Sequence, residues 1–292
     1  MRVDLHTHST ASDGTLTPAE LMLAAEAVGL DVIALCDHDT TGGWDEAAAA
    51  LPAGLSLVRG AELSCSYSGR ACRGAGLDGA ISMHLLAYLF DRAEPALADE
   101  RSRVRQSRLA RGRLIVERLR ADGVEVSWDE VLSDAAGGTV GRPHVARALL
   151  RRGYVADLDA AFGPDWVGTH GRYWAGKEET DARAAVGLVR AAGGVTVLAH
   201  PAAGKRGRTL GDEAIADLAA AGLSGLEVEH VDHTEADRRH LAGLAADLGL
   251  VTTGSSDFHG TNKTTRLGAH LTDPDAYGTL VAPATGCAVV TG

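Results

Sequence analysis

The sequence predicts an α/β fold built on a largely parallel sheet, and three features carry that expectation. Short apolar runs rich in Val, Ile, Leu and Ala alternate with amphipathic stretches of helical period along most of the chain. Helix-start signals stand between those runs. Several runs end in His, Asp or Glu, the side chains that α/β enzymes place at the C-terminal ends of their strands. Alternation of this kind implies a parallel sheet, because parallel neighbours need a crossover, usually a helix. With about seven strands the sheet is either open and doubly wound or closed into a barrel. No GxGxxG follows the first strand, so nothing supports a dinucleotide fold.

The first strand is Met1-Arg2-Val3-Asp4-Leu5, and it delivers His6 and His8. On a strand, residues i and i+2 share a face, so the two imidazoles stand side by side. Imidazole is the commonest metal ligand among side chains, and Asp13 follows in a Ser-Asp-Gly turn. Thr17-Pro18-Ala19-Glu20 is a capping box with Pro in the first turn, opening a helix that Gly29 ends. Residues 31–36 form a buried strand ending in Asp37-His38-Asp39. A helix over 44–51 follows, then a strand over 55–63 that carries Glu62. Residues 64–80 are rich in Gly and Ser and read as a loop or hairpin. The strand at 81–86 carries His84.

From Pro95 to about Arg190 the strand signal disappears. Helices are expected over 97–120, after the Ser127–Glu130 capping box, and over 143–152. This stretch reads as a helical insert. Helix 180–192 then leads to strand 195–199 and His200. Helix 209–221, strand 226–229, helix 235–248 and strand 250–253 follow, the last ending in Asp257 and His259. A final strand is expected within 286–291.

Composition narrows the function classes. The 292 residues are 45% hydrophobic and 23% charged, an ordinary globular balance for one large domain or one domain with an insert. No apolar run reaches membrane-spanning length and no leader is visible. Cys36, Cys65, Cys72 and Cys287 show no CxxC pairing, so reduced thiols and a cytoplasmic setting are expected, although Cys65 and Cys72 are near enough in sequence to bridge. The net charge of −11 argues against a general nucleic-acid coat. Between Arg101 and Arg152, however, twelve Arg face six acids, a local +6 against −17 for the rest. An acidic body with one basic segment points to a small anionic ligand or a local strand contact, with no obligate protein partner evident.

His6, His8, His38, Glu62, His84, His200, Asp257 and His259 all fall at or near predicted strand ends. Together they make a polynuclear metal site with N and O ligands, suited to Mn, Fe or Zn. Gly141-Arg142-Pro143-His144 places a cation and an imidazole at a helix start, a natural anion site, though a capped helix with a solvated Arg explains it equally. His230 and His233 follow the sixth strand and can support ligands from behind. His170, His240 and His270 read as surface or structural residues. The Arg run over 101–120 spreads around its helix and reads as a solvated or internally paired face.

These residues, in this order, resemble the PHP (polymerase and histidinol phosphatase) family of metal-dependent phosphoesterases. The resemblance runs from Asp4-Leu5-His6-Thr7-His8-Ser9 through Asp37-His38-Asp39, Gly60-Ala61-Glu62, His84, Gly141-Arg142-Pro143-His144 and Ala199-His200-Pro201 to Gly254-Ser255-Ser256-Asp257-Phe258-His259-Gly260. It is strongest for the stand-alone group that hydrolyses nucleoside 3′,5′-bisphosphates.

It implies a distorted (β/α)7 TIM-like barrel formed by residues 1–94 and 191–292, with residues 95–190 as a small helical cap. It implies three divalent ions, Mn(2+) first and Fe or Zn as alternatives. His6, His8, Glu62 and Asp257 would hold one, Glu62, His84 and His200 the second, and Asp13, His38 and His259 the third. Some members carry His where this chain has Asp13, and the oxygen ligand favours a harder ion. Arg142 and His144 match residues facing the substrate phosphate.

The implied reaction releases phosphate from a small nucleotide, a nucleoside 3′,5′-bisphosphate or AMP. A metal-bridging hydroxide would attack at the His6, His8, Glu62 and Asp257 site, with His144 assisting the leaving group. The alternatives are a 5′→3′ exonuclease on short RNA or DNA oligonucleotides and a histidinol or sugar phosphate phosphatase. A metal-dependent amidohydrolase would commonly use a carbamylated Lys, and no Lys stands at a predicted strand end.

Overall fold

Apolar alternation becomes a barrel because each strand carries two buried faces. In the computed structural model, which describes residues 1–69 and 79–292, β1 (Val3–Thr7), β2 (Val32–Leu35) and the first half of β3 (Ser56–Tyr67) pair in parallel. On β3, Val58, Gly60 and Glu62 share one face and Leu57, Ala61 and Leu63 the other, as period-2 alternation requires. Val58 joins Val3, Val32, Leu86 and Val197 in one apolar cluster. Leu57, Ala61 and Leu63 join a larger cluster with α1 (Pro18–Ala27) and α2 (Trp44–Ala49). Thr17 caps α1 through the expected reciprocal bonds with Glu20.

The sheet is not wholly parallel, which corrects the expectation. β4 (Ile81–Tyr88) runs antiparallel to β3, in a register that pairs Tyr67 with Ile81 and Ser64 with His84. It is also antiparallel to β6 (Val195–Leu198). The chain returns along β3 directly, and a return of that kind makes an antiparallel pair where a helical crossover would make a parallel one. Ser64–Tyr67 are therefore strand, not loop. Residues 70–78 of that loop, with Cys72 and its expected option of pairing with Cys65, lie outside the described residues. Among the described residues, Cys36, Cys65 and Cys287 form no disulfide.

Residues 95–179 contribute α3 (Pro95–Ala121), α4 (Trp128–Ala135), α5 (Arg142–Arg151) and α6 (Leu158–Ala161). These carry their own buried cluster, including Ile115, Leu119, Val131, Val145 and Leu149. The start of α3 belongs to the barrel, since Leu97 is in the larger cluster. The two-residue β5 (Thr180–Asp181) pairs with the end of β3, and α7 (Ala182–Ala191) buries Ala185, Val186 and Val189 against the barrel.

The remainder is βα alternation. α8 (Asp212–Ala221), β7 (Gly225–Glu229), α9 (Glu235–Leu248) and β8 (Val251–Gly254) follow β6, with β6, β7 and β8 parallel. A further helix, α10 (Pro274–Val281), is capped by Asp273 and precedes β9 (Val290–Thr291) on the β3 edge. The strand order is β1-β2-β3-β4-β6-β7-β8. Single bridges close the seam between β1 and the end of β8, with His8 N–H donating to Phe258 O at 2.9 Å. The result is a nearly closed, distorted seven-stranded barrel. No helix among the described residues is long and apolar enough to cross a membrane.

Candidate metal centre and active site

The β1–α1 loop forms the first wall of the site. Asp37 accepts from the Ser9 N–H (2.8 Å), the Ser9 hydroxyl (2.6 Å) and the Ser12 hydroxyl (2.6 Å), so the end of β2 fixes the turn that presents His8 and Asp13. A Cβ on Gly14 would meet His8 O at 2.4 Å, so only glycine lets the turn close this tightly. Asp39, His200 and Asp257 adopt left-handed backbone (φ 55°, 31° and 50°), a strained conformation that surrounding bonds must hold. Asp39 N–H donates to Glu62 O at 3.0 Å, and His200 N–H to Glu227 Oε2 at 2.7 Å.

Glu62 is the hub. Its Oε1 faces His84 Nδ1 at 2.6 Å and His200 Nε2 at 3.1 Å. Its Oε2 faces His6 Nε2 (3.2 Å), His8 Nε2 (3.1 Å) and His38 Nδ1 (3.2 Å). Asp257 Oδ1 lies 3.5 Å from both His6 and His8, and His259 Nε2 lies 3.4 Å from Asp13 Oδ1. Three groups of donors converge: His6, His8, Glu62 and Asp257; His8, Asp13, His38 and His259; and His38, Glu62 and His84. The sequence put eight of these nine at or near strand ends and Asp13 in the turn after the first strand, and the structure brings all nine together at one mouth of the barrel. Glu62 and His84 differ from expectation in where they sit. Glu62 is mid-strand on a longer β3, and His84 is on the first half of antiparallel β4, so reversed direction brings it to the same mouth.

Electrostatics divide the cluster. Burial disfavours charge on His6, but Glu62, Asp257 and Glu227 outweigh it and hold that ring's proton affinity well above normal. Burial likewise opposes a proton on His8, while Asp257 and Glu62 raise it to about 9. Burial drives His38 well below its ordinary value and, with His8 and Lys263, takes His259 to about 4. Against burial, His84, His38 and His6 keep Glu62 ionised far below the usual carboxylate range. Yet His6 Nε2 and His8 Nε2 stand 3.0 Å apart, room for one cation between them and not for a proton on each.

Glu227 and Lys263, which the sequence did not mark, join His230 and His233 behind the ligands. Buried Glu227 accepts from the His200 N–H and the Ser255 hydroxyl and bonds His6 Nδ1 at 3.1 Å, the carboxylate–imidazole arrangement that orients a metal ligand. An acid flanked by Leu226 and Val228 in a buried strand was the available signal. Lys263 donates to Asp257 Oδ2 at 2.5 Å, and His230 Nε2 lies 3.4 Å from the same oxygen. His233 packs behind, its Nδ1 2.8 Å from Val228 O.

Arg108 from α3 reaches Asp39 Oδ2 at 2.6 Å and the Ser64 hydroxyl at 2.7 Å. The evenly spread Arg helix therefore does send one face into the site. Arg142 bonds Val167 O and Thr169 Oγ1 and packs on Phe162. His144 is wholly buried, its Nδ1 accepting from Gly141 N–H at 2.9 Å.

The chain matches the PHP domain over residues 4–118. It is 36% identical to the 3′,5′-nucleoside bisphosphate phosphatase of Chromobacterium violaceum, over 93% of this chain and 92% of that one. It is 35% identical to a 5′-3′ exoribonuclease of Haemophilus influenzae, covering 88% and 90%. A solved structure of a proposed metal-dependent phosphoesterase from Bifidobacterium adolescentis superposes with a TM-score of 0.88 at 35% identity, covering 97% and 96%. The chain belongs to the PHP family. It is a hydrolase, a metal-dependent phosphoesterase with its candidate metal-binding groups at the barrel mouth.

Proposed function

We propose that this protein removes a phosphate from a small nucleotide, a nucleoside 3′,5′-bisphosphate before AMP, with residues 95–190 capping the site. The donor set fits metal ions. Ligands about 2.0–2.1 Å from a tetrahedral ion stand roughly 3.3 Å from one another. The contacts of His6 and His8 with each other, with Glu62 Oε2 and with Asp257 Oδ1 span 3.0–3.5 Å. His6, His8, Glu62 and Asp257 would hold one ion, Glu62, His84 and His200 a second, and Asp13, His38 and His259 a third, with Mn(2+) preferred where Asp13 supplies an oxygen. Bound there, such ions supply charge neutralisation and acidify water near neutral pH.

The chain's own residues do the rest. His144 Nδ1 is an acceptor, so the neutral ring carries its proton on Nε2, and burial favours that neutral form. The ring also lies within reach of the Ser12 backbone, and Asp13 is close enough to influence it electrostatically. It is placed to donate to a phosphoryl or leaving oxygen. Arg142 would grip a non-bridging oxygen.

The observation that carries the small-nucleotide reading is the state of the surface arginines. Arg103 pairs with Glu100 and Glu178, Arg151 with Asp134, Arg152 with Glu130 and Arg172 with Asp122. The four arginines paired this way offer little to an extended strand. Protein stripped by a chelator and resupplied with Mn should release orthophosphate from adenosine 3′,5′-bisphosphate. Absence of release with Mn, Fe and Zn alike would overturn the proposal.

A further inference from the structure

After β8 the chain passes through Asp257 and His259 into one turn of 3-10 helix, Gly260–Asn262. That turn is fastened to the β1–α1 loop at three successive residues. Gly260 has a φ of 65°, and a Cβ there would collide with Thr15 Oγ1, so glycine is required twice over. Thr261 N–H donates to the same Thr15 oxygen at 3.0 Å, and Asn262 Nδ2 donates to Asp13 O at 2.6 Å. Lys263 follows directly, so its side chain starts from a fixed point at the barrel mouth.

From that point Lys263 turns back onto Asp257. Its Nζ lies 2.5 Å from Asp257 Oδ2, and its side chain is 30% exposed against 1% for Asp257. The ammonium therefore meets a buried carboxylate from the solvent side. His230, just after β7, approaches the same oxygen from within. Asp232 N–H donates to His230 Nδ1 at 3.1 Å, which puts the neutral ring's proton on Nε2. That nitrogen stands 3.4 Å from Oδ2. Two donors thus converge on one oxygen of Asp257.

The other oxygen keeps different company. Oδ1 lies 3.5 Å from His6 Nε2, 3.5 Å from His8 Nε2 and 3.4 Å from His259 Nδ1. A carboxylate with Oδ2 committed to an ammonium and an imidazole N–H cannot also chelate one ion through both oxygens. The difference matters to the choice of ion. Zn(2+) favours tetrahedral sites, while Mn(2+) suits octahedral ones. A second oxygen from Asp257 would add a ligand and so favour Mn(2+). Binding through one oxygen keeps that position open for water or a substrate oxygen.

We propose that Lys263 is a positioning residue of the metal centre: with His230 it holds Asp257 Oδ2, so that Asp257 meets its ion through Oδ1 alone. This goes beyond the reading above and rests on it for Asp257 as a ligand. The ammonium acts in two separable ways. Its charge repels every divalent ion alike. Its hold on Oδ2 acts on geometry, and so discriminates between ions of equal charge.

The test is equilibrium competition against a chromogenic chelator, with Mn(2+) and Zn(2+) separately, on wild type, Lys263→Met and Lys263→Arg. Release of Oδ2 should let Asp257 chelate. Lys263→Met should therefore shift the ratio of the two affinities about tenfold toward Mn(2+), the lower end of what residues behind metal ligands contribute. Lys263→Arg keeps a donor on Oδ2 and should restore most of the wild-type ratio. Crystals of the Mn(2+)-loaded proteins read the same point directly, with Asp257 bound through Oδ1 alone in wild type and through both oxygens in Lys263→Met. An unchanged ratio, or equal strengthening of both ions, overturns the role and leaves the metal reading standing. Asp257 chelating through both oxygens in loaded wild type overturns it without any variant. Wild type that binds neither ion overturns the metal reading itself, and this role with it.

Discussion

At the barrel mouth two buried polar clusters lie side by side, unbalanced in opposite directions. Around Glu62, carboxylates and imidazoles crowd nitrogen and oxygen atoms to 2.6–3.5 Å, with Lys263 at the edge. Around Arg108, guanidinium and ammonium groups lie near enough to repel one another, with Asp39 and Glu179 the acids paired to them among the described residues. Buried charge left uncompensated opposes folding, so each cluster points to what it binds. The first is shaped for cations and the second for an anion. A phosphorylated substrate with metal ions beneath it satisfies both.

The comparison can be broken most severely at His6. His6→Ala should cut phosphate release by more than ~100-fold, beyond the ~10–100-fold typical of residues behind the ligands. Circular dichroism should stay native. Retained turnover in a metal-replete His6→Ala sample would remove this cluster from the chemistry. Glu227→Gln should show the smaller effect, weakening metal binding by ~10–100-fold through the loosened His6 ring. Equilibrium competition with a chromogenic chelator measures that directly, and a change below about threefold would make Glu227 a packing residue.

Acidity sharpens the contrast. In the metal-free protein Asp257 and Glu62 hold His8 protonated up to about pH 9 despite its burial. Metal must expel that proton, so affinity should rise as pH climbs from 6 to 9, by about tenfold per unit for each proton released. Affinity flat across that range contradicts the assignment of His8. At Asp39 the shift is downward instead of upward. Burial opposes ionisation of Asp39, yet Arg108 lowers its carboxyl to about 2. A depressed carboxyl contributes stability above its ordinary value near 4 and loses it as pH falls toward 2. The contribution is ~2 kcal/mol at neutral pH. Urea unfolding of wild type and Asp39→Asn should differ by about that much at pH 7 and converge near pH 2.

Much of this was legible in the sequence, for local reasons. The Thr17–Glu20 and Ser127–Glu130 boxes and the apolar runs act over a few residues, and the histidines stood where those runs ended. What stayed hidden depends on distant partners. Glu227 meets His6 from 221 positions away and Arg108 meets Asp39 from 69, so neither shows in a local pattern. The direction of β4 follows from its pairing with β3, since Gly- and Ser-rich residues mask the strand through Tyr67. Helix α10 had its signal, Asp273 before Pro274, in a stretch otherwise poor in helical period.

The most direct test sets adenosine 3′,5′-bisphosphate against a 5′-phosphorylated trinucleotide at equal concentration with Mn-loaded protein, products identified by chromatography. The account predicts orthophosphate and a single mononucleotide from the bisphosphate, with the trinucleotide largely intact. Stepwise mononucleotide release from the trinucleotide, with the bisphosphate untouched, would contradict it and make the cationic cluster the anchor of a strand end.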